Sequence, residues 1–173
     1  MQGFLALHSA DPSDESRECR IDGNIAYGNS DMSTENVKKY AEKSAVTSFV
    51  YHLPQGFDTI IGERGVGLSG GQKQRISLAR ALAITPSILI LDDTTSAVDT
   101  ETEQYIQENL RHLDFECTKI IIAQRITSTK DADHIMILRN GRIEEMGTHE
   151  ELLKKHGYYY DVYSLQSNMG EGA

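Results

Sequence analysis

Ser69-Gly70-Gly71-Gln72 places a hydroxyl, two side-chain-free backbone positions and an amide at the head of the apolar-periodic run Ile76-Ser77-Leu78-Ala79-Arg80-Ala81-Leu82-Ala83. Serine is a good helix N-cap, and paired glycines let a ligand approach the backbone. The first free N–H groups of such a helix form an anion site, with a phosphate as the obvious guest. Lys73, Arg75 and Arg80 follow closely and leave room for a local phosphate site. Beyond Pro86, the wholly apolar run Ser87-Ile88-Leu89-Ile90-Leu91 ends in Asp92-Asp93. That pattern predicts a central parallel strand buried on both faces, with carboxylates emerging at its C-terminal edge, where α/β folds bind ligands.

The surrounding elements have to hold these groups in place. Ser33 or Thr34 caps a predicted helix through Val37, Ala41 and Ser44. A second helix is predicted over Val46, Phe49, Val50 and Leu53, up to Pro54, the two packing face to face. Thr94-Thr95-Ser96-Ala97-Val98-Asp99 reads as a polar turn. Thr100 with Glu103 forms a capping box for a helix whose buried stripe is Ile106, Leu110 and Leu113, and Asp99 can share in the capping. Lys119-Ile120-Ile121-Ile122-Ala123 predicts a second buried strand ending at Gln124. Asn140-Gly141, between His134–Leu138 and Arg142–Met146, is a two-residue hairpin signal. Thr148 and Glu151 open a helix ending near Gly157, and Tyr158 to Gln166 gives an aromatic-rich last helix.

Composition narrows the class. The chain has 173 residues, 39% of them hydrophobic, enough for one ordinary domain core. A formal net charge of −9 argues against a general nucleic-acid surface. Cys19 and Cys117 make neither a disulfide framework nor a metal motif, which fits a reducing cytosol. Phe4-Leu5-Ala6-Leu7 is too short for a signal sequence, and no run has the apolar length of a transmembrane helix. Residues 1–20 read as a flexible polar tail, and residues 167–173 as a frayed one.

Leu68 to Gln72 reads LSGGQ, and with the run on to Arg75 it resembles the signature motif of ABC-transporter ATPases. The strand ending at Asp92 is similar to the family's Walker B strand, in the family's order and at close spacing. The resemblance is to the exporter type and covers about residues 21 to 166, starting near Asn24-Ile25-Ala26-Tyr27-Gly28-Asn29. It implies an α/β fold class: a partial P-loop NTPase (ABC ATPase) domain with a helical signature subdomain, lacking the P-loop strand. Residues 21–85 would be that subdomain, and residues 86–166 the Walker B and switch part of the core. It further implies ATP and Mg²⁺ as ligands. Ser69, Gly70, Gly71 and Gln72 would bind ATP as the signature, Ser96 and Asp99 as the D-loop, and Asp92 would hold Mg²⁺ through water. The loop Gly62-Glu63-Arg64-Gly65 resembles the one that touches transmembrane domains in ABC exporters.

Three departures sharpen the reading. No glycine is followed by lysine, so the Gly-Lys-Ser/Thr ending of a P-loop is absent. Asp93 stands where the family usually has a catalytic glutamate, and Gln124 where it has a histidine at the γ-phosphate. Asp93 and Gln124 together match the degenerate catalytic site of heterodimeric bacterial multidrug and lipid exporters. The implied protein is then an ATP-binding and hydrolysing subunit fragment of an exporter. It would be inactive alone and paired with a second nucleotide-binding domain, at the cytoplasmic face of the membrane carried by its transmembrane partner. Two other readings remain: a catalytically dead truncated chain acting as a regulatory partner, and a soluble ABC ATPase of DNA repair or translation. The acidic balance and the Gly62–Gly65 loop count against the last.

Overall fold

The computed structural model describes residues 20–61, 67–92 and 97–170. The Gly62–Gly65 loop, Asp93, Ser96, Cys19 and the two predicted tails, Arg20 and residues 167–170 apart, lie outside the described residues. The chain divides into two compact units, Met1–Ile120 and Ile121–Ala173.

The first unit is built around one helix. α1 (Ile21–Ala26) and α2 (Thr34–Lys43) both pack on α4 (Gly70–Ala83), and the single turn α3 (Thr47–Val50) packs on α2. Ile76, Ala79 and Leu82 of α4 are fully buried, and so are Ile21, Ile25, Ala41, Val46 and Val50. Spacings of three and four put these residues on one face each, and alanines at Ala79 and Ala83 let neighbouring helices come close. Ser33 is the cap of α2, accepting from the Asn36 N–H at 3.3 Å. The second predicted helix shortens to one turn, although Val46, Phe49 and Val50 are buried as their spacing requires. α1 carries no cap motif and was not evident from the sequence. The pair Ile21 and Ile25, both fully buried, is the signal it leaves.

After α4, Thr85 turns left-handed at φ 44° just before Pro86, and β1 (Ile88–Asp92) begins. α5 (Thr100–Arg111) follows, burying Ile106 and Leu110. Lys39 and Lys43 of α2 both reach Asp114 just beyond α5. β2 (Thr118–Ile122) neighbours β1. The Thr118 N–H donates to the Ser87 carbonyl at 2.9 Å, so the two strands start side by side. The dividing point between the units falls inside β2.

Here the expectation of strands buried on both faces is corrected. In β1 only Leu89 and Leu91 are buried, while Ile88 and Ile90 are each 61% exposed; all five residues of β2 are exposed. An all-apolar strand is buried twice only where layers cover both of its faces. Among the described residues the β1 and β2 sheet has two strands, and the isoleucine side lacks a cover.

The second unit pairs β3 (Ile135–Arg139) antiparallel with β4 (Arg142–Gly147), matching Arg139 to Arg142 across the turn. Asn140 and Gly141 have φ 50° and 73°, the two left-handed residues a tight hairpin turn demands. α6 (His149–Lys155) starts with the predicted Thr148 and Glu151 capping box. It ends near Gly157 as expected, with His156 as its left-handed C-cap. α7 (Tyr158–Gly170) packs on α6 around Leu152 and Tyr159. No described helix is long and apolar enough to cross a membrane.

Among the described residues, the face carrying Ile88 and Ile90 is uncovered and lies beside a strand edge with no partner, an arrangement that favours association. The isolated chain should therefore form concentration-dependent oligomers in sedimentation velocity. Ile88→Lys with Ile90→Lys should return it to monomer without loss of helical signal. A monomeric parent chain at micromolar concentration would contradict this.

Candidate functional site

The signature turn is organised by α4 itself. Gly67 takes φ 95°, and Ser69 takes an extended conformation as the cap. The Gln72 N–H donates to Ser69 Oγ at 3.2 Å, and the Ser69 N–H donates to Gln72 Oε1 at 2.8 Å, closing a capping box. A helix start has four N–H groups with no intrahelical acceptor. The box uses two, leaving those of Gly70 and Gly71. Ser69 Oγ accepts in the box and keeps its own proton to donate. The turn thus offers two amides and a hydroxyl at the positive end of a helix dipole, a donor set suited to a phosphate oxygen.

The turn is held from behind by Arg75. Its Nε donates to the Gly71 carbonyl at 3.2 Å, and its Nη1 donates to the Ala45 carbonyl at 3.1 Å and to Ser48 Oγ at 2.8 Å. The guanidinium lies over the Phe49 ring, 4.8 Å from its centre. Burial pushes the Arg75 pKa down, while the charge of Asp99 works the other way. Arg80 is buried and sits over the Tyr27 ring at 4.0 Å. The suggestion of a phosphate site from Lys73, Arg75 and Arg80 is corrected accordingly: two of these three cations face inward and do structural work.

Gly71 is buried against the segment leading into α5. A Cβ on it would lie 2.5 Å from the Ala97 carbonyl oxygen and 3.2 Å from Val98 Cγ1. Asp99 caps α5, accepting from the Thr102 N–H at 2.9 Å and from its hydroxyl at 2.8 Å. The expected Thr100 and Glu103 box is therefore corrected. Thr100 is already helical, and the Glu103 carboxylate is buried and accepts from Gln107 Nε2.

Ser69, Gly70, Gly71, Gln72 and the Ala97–Asp99 turn are thus brought together. Asp92 ends β1, exposed at its C-terminal edge. Among the described residues no cluster of three His, Cys, Asp or Glu could hold a metal by itself. Asp92 presents a single carboxylate at that edge. Gln124 lies in the second unit, exposed, its carbonyl accepting from Gln166 Nε2 at 3.1 Å. Gln166 also accepts from the Ile126 N–H at 2.9 Å, a brace for which a glutamine near the end of a helix gave no sequence signal. Asp93 and Ser96 lie outside the described residues. Cys117 is a free thiol.

These features define part of a nucleotide-binding α/β domain. A family model described as ABC transporter matches residues 3–96, so the match begins well upstream of the start expected near Ile21. Among curated relatives, the uncharacterized ABC transporter ATP-binding protein YknU of Bacillus subtilis (strain 168) is 53% identical over 146 residues, 84% of this chain and 25% of that protein. The ATP-dependent lipid A-core flippase of Idiomarina loihiensis is 50% identical over 147 residues, again 84% of this chain and 25% of that protein. A solved structure of a bacterial Atm1-family ABC exporter with ATP bound superposes with a TM-score of 0.79 at 43% identity, covering 85% of this chain and 26% of that one. The chain belongs to the ABC transporter family, with the nucleotide-binding fold of its exporter-type members. It spans about a quarter of the length of the curated relatives it matches.

The Asp99 carboxyl is held below its ordinary value of 3.8, chiefly by the Thr102 N–H and then by the Thr102 hydroxyl. A folded value below the unfolded one means that the cap stabilises above the unfolded pKa and is lost as pH falls through the folded one. Asp99 followed by carboxyl NMR should titrate below 3.8. Thr102→Val should raise the midpoint only part of the way, because the backbone donor remains. A parent midpoint at or above 3.8 would refute the assignment.

Proposed function

We propose that the chain is the signature-bearing half of a composite ATP site in an ABC exporter. In this reading Ser69, Gly70, Gly71 and Gln72 clamp the γ-phosphate of ATP seated on the P-loop of a second nucleotide-binding domain. Asp99, with Ser96, faces that same partner. The observation that carries the reading is the pair of amides and the hydroxyl left over by the Ser69 and Gln72 capping box. The two amides and the hydroxyl are fixed before ligand arrives, so little reorganisation is needed when charge develops on the transferring phosphoryl group. Asp92 would hold Mg²⁺ through water, and the ion would neutralise phosphate charge.

Asp93 and Gln124 support a heterodimer in which this subunit contributes the weaker catalytic pair. Aspartate is one methylene short of glutamate, and glutamine carries no charge to the γ-phosphate. The closing of the two domains on ATP would drive transmembrane segments through the Gly62–Gly65 loop at the cytoplasmic face, and hydrolysis would reset them.

Two measurements test this. Calorimetry should find no micromolar Mg-ATP binding by the isolated chain. In the assembled transporter, Ser69→Ala should lower steady-state ATPase about a hundredfold, as loss of one oriented donor does. Asp93→Glu alone should raise it little, because Gln124 leaves the second defect in place. Ser69→Ala is a cleaner probe than Gly71→Asp, since any side chain on Gly71 also strikes the Ala97 carbonyl. Strong activation by Asp93→Glu with a silent Ser69→Ala would reverse the assignment of the two sites.

A further inference from the structure

Ala97 is gripped by α4 through both of its backbone groups. Its N–H donates to Gln74 Oε1 at 3.4 Å. Its carbonyl oxygen occupies the space that a side chain on Gly71 would take, as the 2.5 Å approach of a Cβ built there shows. Two residues on, Asp99 starts α5 and lies in the field of Arg75, which is itself fixed on Ala45, Ser48 and Phe49. The Ala97–Asp99 turn therefore takes its position from the same helix that carries Ser69–Gln72. Gln74 is the side chain of α4 that hydrogen-bonds the turn directly, while the Gly71 contact limits how closely the turn can approach.

We propose that Gln74 is a positioning residue. Its amide oxygen holds the Ala97–Asp99 turn against the head of α4, so that both segments meet the partner's nucleotide as one rigid edge. The inference rests on the composite-site reading given above. Geometry sets what is needed from the side chain: an acceptor at glutamine's reach, with the amide nitrogen dispensable for this bond. Glutamate keeps that acceptor, whereas methionine keeps the length and loses it. A turn left free to shift by about 1 Å beside a reacting centre is enough to slow chemistry without weakening nucleotide binding.

The test uses the assembled transporter with Gln74→Met and Gln74→Glu in this chain, read by amide exchange at Ala97 and by steady-state ATPase. Gln74→Met should speed exchange at Ala97 and lower kcat, each about tenfold, and leave KM for ATP within about twofold. Gln74→Glu should return exchange at Ala97 to within about twofold of the parent. Unchanged exchange at Ala97 in Gln74→Met overturns the proposal. So does faster exchange with an unchanged kcat, or loss of protection along the whole of α4, which would make the role merely structural. If the parent assembly hydrolyses no ATP, the composite-site reading fails, and the contrast between Met and Glu at Ala97 still decides whether Gln74 holds the turn.

Discussion

Burial of one face of α4 is the constraint from which the rest of the first unit follows. Ile76, Ala79 and Leu82 are fully buried where α1 and α2 pack on the helix, and the two large side chains, Ile76 and Leu82, each contribute roughly 1.5–3 kcal/mol when removed from water. With the body of the helix fixed, the orientation of its first turn is fixed too. Gly70 and Gly71 then present their amides where the rigid helix puts them. The two free amides are therefore backbone atoms positioned by a core several residues away.

The same economy explains the charged residues nearby. A helix start that offers only neutral donors holds a phosphate weakly unless positive charge lies behind it. Arg75 supplies that charge from the rear while its hydrogen bonds go to the protein: to the Gly71 carbonyl within the helix, and to Ala45 and Ser48 outside it. Ala45 is left-handed at φ 57°, a conformation unusual for alanine that turns the chain between α2 and α3. Arg80 joins α4 to Tyr27 in the same manner. A phosphate ligand would thus meet helix amides first, and guanidinium groups only through the field they create.

Much of this was legible in the sequence wherever local chemistry decides the structure. Ser69, Ser33, Thr148 and the Asn140-Gly141 turn each act through neighbours within a few residues, and each takes the expected conformation. Reading failed where the outcome depends on distant chain. Ile88, Ile90 and the Ile120–Ile122 run announce burial, but a strand cannot show from its own letters how many layers will cover it. The inward turn of Arg75 and Arg80 depends on Phe49 and Tyr27, which are remote in sequence, so charge alone suggested a phosphate site. Competition between caps is a subtler case. Thr100 and Glu103 had the right spacing, but Asp99 lay one residue earlier with a stronger acceptor and took the helix start.

The partners of Arg75 have one more consequence. Its nearest acceptors are two carbonyls, a hydroxyl and an aromatic ring, all uncharged. The contacts of Lys39 and Lys43 with Asp114 join full opposite charges at a partly exposed position. Added electrolyte weakens the second kind of contact far more than the first, because mobile ions screen charge against charge and have little to act on between a cation and a neutral carbonyl. Rising ionic strength therefore loosens the outer end of α2 while the head of α4 stays clamped.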